Sequence, residues 1–322
     1  EWRRVSRGSI DFAPPEPRIL LDVEGVMTGI AVEPRNRAHR MIEEFMLAAN
    51  EAVAGHLERA GSPCLYRIHE QPDPVKVEAL AEFAAALGHR LVADPEKVRP
   101  EDVRRLVEAA EGRPEHAVLS QVALRSLKQA RYSAENAGHF GLASPVYAHF
   151  TSPIRRYPDL LVHRALRAER DRARPLDEEA RTARTDVLRE WARLTSDRER
   201  RADEAERELV QWKKVRFMAD KVGDTFDGYV TGVASFGLFV ELAEHFVEGL
   251  VHVSSMSDDY YRFLDRVHAL HGENTGRRYR LGDRVRVRVA KVDFERRQID
   301  LALEDVVQRL ARMGRGLGAN TV

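Results

Sequence analysis

Near Val222 the hydrophobic period of the chain changes from helical to alternating, so the two sides of that point cannot share one packing scheme. Before it, residues 38–59 place Met41, Phe45, Ala48, Ala49, Ala52 and Val53 at helical spacing, which predicts a long helix burying that face. Further helices are expected at about 75–87, 99–110 and 115–131, a hairpin over 18–32 around Glu24-Gly25, and a buried strand over 65–69. A stretch dense in Glu and Arg, often three or four residues apart, predicts another long helix over about 177–220, stopped by Gly223. Beyond it, 226–233, 236–242, 248–253, 283–292 and 298–303 read as five short strands, with an irregular stretch before the last two. Five such strands suit an OB-type β-barrel. The expected fold class is α+β: a mainly helical part over 1–219, the barrel over 220–304, and a flexible C-terminal tail over 305–322 that is helical at first and then glycine-rich.

The run from Tyr147 to Leu166 packs two prolines, a Thr-Ser pair and adjacent arginines into one helix entrance. Ser152 suits an N-cap and Pro153 the first helical position, because neither needs the backbone donors that a helix start leaves unpaired. Pro158 would restart the helix, with Leu160, Leu161, Ala165 and Leu166 as its apolar stripe. Arg155 and Arg156 then lie where free N–H groups already favour an anion, and a guanidinium can clamp phosphate there. A bare capped helix with two surface arginines is the competing reading of those residues alone.

Composition allows two domains with real cores. No apolar run approaches the roughly 20 residues of a membrane span, and the start has no secretory pattern. Cys64 is the only cysteine, which suits a reducing, cytoplasmic setting. The 52 basic and 52 acidic side chains cancel, so any phosphate-binding surface must be local. One candidate spans Arg277 to Arg297, where nine basic side chains face only Asp283, Asp293 and Glu295. The chain opens at Glu1-Trp2 in a charged stretch without a methionine, which reads as a fragment or a processed chain.

The Tyr147–Leu166 run resembles the signature of the RNB exoribonucleases, the ribonuclease II and ribonuclease R family, and the ribonuclease R branch more closely. The resemblance includes Asn36 to Asn50, Tyr66-Arg-Ile-His-Glu70, Gly138 to Leu142 and Arg200 to Glu206. Gly237 to Val240 and Glu248 to Ser255 are similar to the S1 family of the OB fold. The resemblance implies the C-terminal portion of an RNB domain followed by an S1 RNA-binding domain. It further implies Mg²⁺-assisted, processive 3′-to-5′ hydrolysis of RNA to nucleoside 5′-monophosphates. The metal-binding aspartate cluster of the family has no match in this chain. Asp258-Asp259 is its only adjacent aspartate pair, so the chain alone is expected to bind RNA without cutting it, and Mg²⁺ is expected only in a longer parent.

By the same resemblance Arg155 would hold the phosphate at the scissile end and Glu206 would contact the terminal nucleotide, with Glu204 a weaker candidate. Glu43 and Phe12 match positions near the 3′ end, Phe12 being an aromatic against which the last bases are wedged. Arg156 stands beside the clamp. In the barrel, Phe236 and Phe239 are candidates for base stacking. Strict alternation would turn them to opposite faces, and the glycine between them permits a bulge that unites them. The S1 resemblance adds His252, Asp293 and Arg297 to that face. His139, His149 and His163 lack zinc-ligand spacing and are expected to pack with one hydrogen bond each. The expected partners are single-stranded RNA and a missing N-terminal portion of the same protein, with no membrane. The alternatives are a non-catalytic single-stranded RNA-binding protein and, more distantly, a helical protein-interaction subunit.

Overall fold

The structure, a computed structural model, describes residues 2–10, 17–32, 36–113, 115–172, 174, 176–264 and 268–317. In chain order its elements are α1 (Trp2–Ser6), β1 (Pro17–Leu21), β2 (Met27–Val32), α2 (Arg37–Arg59), β3 (Tyr66–Ile68), α3 (Pro74–Ala86), α4 (Pro100–Glu108), α5 (His116–Ser126), β4 (Arg131–Ser133), α6 (Tyr157–Arg170) and α7 (Glu178–Phe217). There follow β5 (Thr225–Ala234), β6 (Gly237–Leu242), β7 (Glu248–His252), β8 (Tyr261–Leu264), β9 (Ala269–Gly272), β10 (Arg278–Arg280), β11 (Arg284–Asp293), β12 (Gln298–Leu303) and α8 (Glu304–Leu317). The α+β class is as expected. Packing groups the chain into two units: 1–13, 34–111 and 119–204 form the first, and 14–33, 112–118 and 205–322 the second.

In the first unit, Asn36 accepts from the His39 N–H to open α2, and Asp73 accepts from Val75 N–H with Pro74 in the first turn of α3. The C-terminal half of α2 buries Ala54 and Leu57 against Cys64, Tyr66, Ile68, Ala148 and Val162. Of the expected buried face of α2, Val53 packs against this core and Ala49 is half-buried, but the rest faces outward. Met41, Phe45, Ala48 and Ala52 form an exposed stripe, with Phe45 at 63% exposure, while Asn50, Ala54 and Leu57 face inward. Spacing correctly fixed the helix, but a helix with apolar residues on two sides does not tell which side meets the core. The helix expected to reach 131 stops at Ser126, whose hydroxyl donates to the Ala123 carbonyl. Residues 131–133 pair with β3 and form a short strand that the sequence pattern did not show.

The second unit holds a closed barrel of order β11–β12–β7–β6–β5, with β11 also bonded to β5. Leu238, Val240, Leu242, Val251, Val287, Val289, Ile299 and Leu301 fill it from alternate strand positions. Val215 and Met218, at the end of α7 and just past it, sit in the same core. The stretch expected to be irregular contains an antiparallel sheet of order β10–β9–β8. Residues 304–317 are helical, as expected for the start of the tail, but Val306 is buried in the barrel core and so is not flexible tail.

Candidate nucleic-acid interface

In the first unit the Arg155 turn is built around Asp159. Helix α6 begins at Tyr157, not at Pro153, and Ser152 does not cap it. Residues 152–156 form a turn in which the Arg155 and Arg156 N–H groups both point to the Ser152 carbonyl, at 3.3 and 3.0 Å. Asp159, 0% exposed, accepts from Ser152 N–H and from the Arg156 guanidinium, each at 2.8 Å. A buried carboxylate with two charge-strengthened donors holds that turn more firmly than a serine cap would. The two arginines are thereby separated. Arg156 points into the turn, paired to Asp159, whereas Arg155 is exposed and makes no side-chain hydrogen bond or ion pair among the described residues. Asp159 is the residue that makes this division.

Behind the turn the histidines pack as expected. His149 shares a 2.9 Å hydrogen bond with the Tyr132 hydroxyl, and His163 stacks on Phe150 at 4.1 Å with Nε2 bonded to the Phe150 carbonyl. His139 lies edge-on to His69 and Tyr147, and its Nδ1 accepts from Leu142 N–H at 3.2 Å. Burial, reinforced for His149 by the Arg156 charge and for His139 by His69, pushes both down to about 3, so they are neutral packing groups. Glu43 lies on the exposed half of α2 beside Glu44, which Arg4 holds at 2.9 Å. Glu204 and Glu206 are both exposed on α7. Phe12 lies outside the described residues.

In the second unit, Phe236 and Phe239 do meet, their rings edge-on at 5.9 Å. The device differs from the expected bulge. Phe236 lies in the turn before β6, and the register shift is in β5 between Val230 and Gly232. A Cβ at Gly232 would stand 3.0 Å from the Phe239 ring, so this glycine makes room for it. Leu238 and Val240 plug the barrel while Phe239 stays half-buried on the outer face. His252 is opposite Gly237 in the neighbouring strand, and Val253 N–H donates to the Phe236 carbonyl. Its Nδ1 is engaged by Ser254, leaving Nε2 without a partner among the described residues.

Asp293 and Arg297 belong to the β11–β12 turn instead. Asp293 accepts from Arg296 N–H and Lys291, and Arg297 is paired with Glu208 at 2.8 Å. With Asp300 parallel to Leu250, that turn lies beyond the Glu248 end of β7, whereas His252 is at the other end. The structure thus joins Phe236 and Phe239 directly and sets His252 on the adjacent strand, apart from Asp293 and Arg297. The basic stretch is also less free than its count suggests. Arg277, Arg280, Arg284, Arg288, Lys291 and Arg297 all have acidic partners.

Mg²⁺ is not accommodated by these residues. Among the described residues no three of His, Cys, Asp and Glu are grouped as a metal would need. Asp258 is bonded to Arg309 and Tyr261, and Asp259 is saturated by Asn274 and Thr275. The Thr275 hydroxyl first, then the backbone donors, hold the Asp259 carboxyl well below the usual carboxylate range. No described helix is long and apolar enough to cross a membrane.

Residues 1–170 match the RNB domain family, and residues 219–304 match the S1 RNA binding domain. The chain is 46% identical to ribonuclease R of Aquifex aeolicus over 95% of its own length and 43% of that protein's. It is 42% identical to ribonuclease R of Escherichia coli over 93% of its length and 37% of that protein's. The chain therefore spans about two fifths of the curated relatives it matches. A Mycoplasma genitalium RNase R solved in complex with ribose methylated single-stranded RNA superposes with a TM-score of 0.88 at 28% identity, covering 94% of this chain and 47% of that one.

Proposed function

The chain belongs to the RNB family and carries an S1 RNA binding domain, and on that premise we propose that it is the RNA-gripping portion of a processive 3′-to-5′ exoribonuclease of the ribonuclease R type. The observation that carries this reading is Arg155, exposed and without a side-chain partner among the described residues, held out by a turn that a buried Asp159 fixes. In this reading Arg155 holds a phosphate of the 3′-terminal segment, and Glu206 and Glu43 accept from ribose hydroxyls, which DNA lacks at the 2′ position. The Phe236–Phe239–His252 surface stacks bases without reading their sequence. Single-stranded RNA is the ligand of both units.

Hydrolysis of single-stranded and structured RNA to nucleoside 5′-monophosphates belongs, in this reading, to the longer parent and to Mg²⁺ held there by carboxylates. No hydrolytic step is assigned to the residues of this chain. The exposed Met41–Phe45–Ala48–Ala52 stripe of α2 supports a further part of the RNB domain as its cover, since the matched relatives are more than twice as long. A cytoplasmic setting accords with the buried free thiol of Cys64, pushed up to about 12 by burial and so unreactive.

The test is end-labelled single-stranded RNA incubated with the purified chain and Mg²⁺. Retarded but intact RNA is the expected result. A ladder of shortened products overturns the division of labour, and an absence of retardation overturns the grip itself.

A further inference from the structure

The β8–β9–β10 sheet has two unlike faces. Tyr261, Leu270 and Tyr279 turn inward to the barrel core. The register sets Arg262 opposite His271 and His271 opposite Arg278, so these three form one row across the other face. Tyr260 continues the pairing, its carbonyl accepting from Glu273 N–H at 3.0 Å, and by alternation it shares the face of Arg262. It is 69% exposed.

Several arginines of this unit are paired with acids, but Arg262 and Arg278 are exposed and have no acidic partner among the described residues. His271 between them is half-buried, and its Nδ1 is shut from solvent without a partner among the described residues. The sheet is firmly seated. Tyr279 donates to Asp305 at 3.1 Å, Arg309 binds Asp258 at 2.6 Å, and Asp259 ties down the β9–β10 turn through Asn274 and Thr275. The backbones of Arg262 and Arg278 are about 9–10 Å apart across three strands, with an exposed ring beside them.

We propose that the Tyr260, Arg262, His271 and Arg278 face is a second site for single-stranded RNA, separate from the Phe236–Phe239–His252 surface. Arg262 and Arg278 meet phosphates of the backbone, and Tyr260 stacks a base. The exposed Glu273 opposite Tyr260 marks one edge of the site and keeps the backbone on the arginine side. This inference rests on the proposal that the chain binds single-stranded RNA.

The experiment is binding of a fluorescent 20-nucleotide oligouridylate by the whole chain between 50 and 200 mM salt. Each phosphate neutralised on a single strand adds about 0.7 to the slope of log affinity against log salt. The double variant Arg262→Gln with Arg278→Gln should lower that slope by about 1.4, so its affinity falls about sevenfold less over the same salt range. Arg262→Lys with Arg278→Lys should restore the slope. Tyr260→Ala should weaken binding without changing it. A wild-type chain that binds, with the Gln double variant showing the same slope, overturns the second site alone. A wild-type chain that does not bind overturns the parent reading and this site with it.

Discussion

At the scale of single residues, the sequence singled out Arg155 and Arg156 but not how they differ. Arg155 and Arg156 are adjacent and chemically identical, and their separation depends on Asp159, seven residues after Ser152 and invisible to short-range capping logic. Two predictions follow from that geometry. Arg155→Ala, made in a hydrolytically competent parent, should lower kcat about a hundredfold while RNA affinity changes little, because one bidentate contact at the reacting end is worth about 2–4 kcal/mol. Single-turnover and binding assays on the same variant check this, and unchanged turnover would leave Arg155 an ordinary surface residue. Asp159→Ala should destabilise the first unit by about 3–5 kcal/mol, since it strands the half-buried Arg156 charge. Urea titration measures it, and a loss below about 1 kcal/mol would show that the turn holds without the carboxylate. The pairing of Phe236 with Phe239 was legible; the room made by Gly232 was not, because it faces them from the neighbouring strand.

At the scale of elements, periodicity located every barrel strand and the long helices within a few residues, because alternation and 3.6-residue spacing are local properties. It failed where the deciding partner is distant. The buried side of α2 was misassigned in its first half, the helix ending near 131 was drawn too long and β4 just after it was missed, and β8–β10 were missed because each is only three or four residues long. The end of α7 is the same kind of case. The sequence boundary near 219 follows the change of period, yet Val215 and Met218 are fully packed in the barrel core. Met218→Ala should therefore destabilise the barrel by about 2–5 kcal/mol, as loss of a fully buried thioether side chain does. Thermal or urea unfolding of the second unit is the measurement. A change of less than about 0.5 kcal/mol would return residues 205–218 to the helical part.

At the scale of the whole molecule, zero net charge conceals an uneven distribution of charge states. In the second unit several basic side chains are internally paired, which is why the sequence count of the Arg277–Arg297 stretch overstated its free positive surface. In the first unit the hidden quantity is protonation. His139 and His149 are buried and neutral, with folded values of about 3 against roughly 6.5 in an unfolded chain. Between those values the unfolded chain binds more protons than the folded one, so stability is complete above about pH 6.5 and falls as pH drops towards 3. From pH 7.5 to 5.5 the two histidines together should cost roughly 2–3 kcal/mol of unfolding free energy. Trp191, packed on Tyr157 in this unit, gives a fluorescence probe for urea titrations at the two pH values. His149→Asn should remove about half of the pH dependence, since the asparagine does not titrate. A wild-type midpoint that is the same at both pH values would mean that these imidazoles accept protons without opening the core, and that the packing around Tyr132 and Tyr147 is looser than the structure describes.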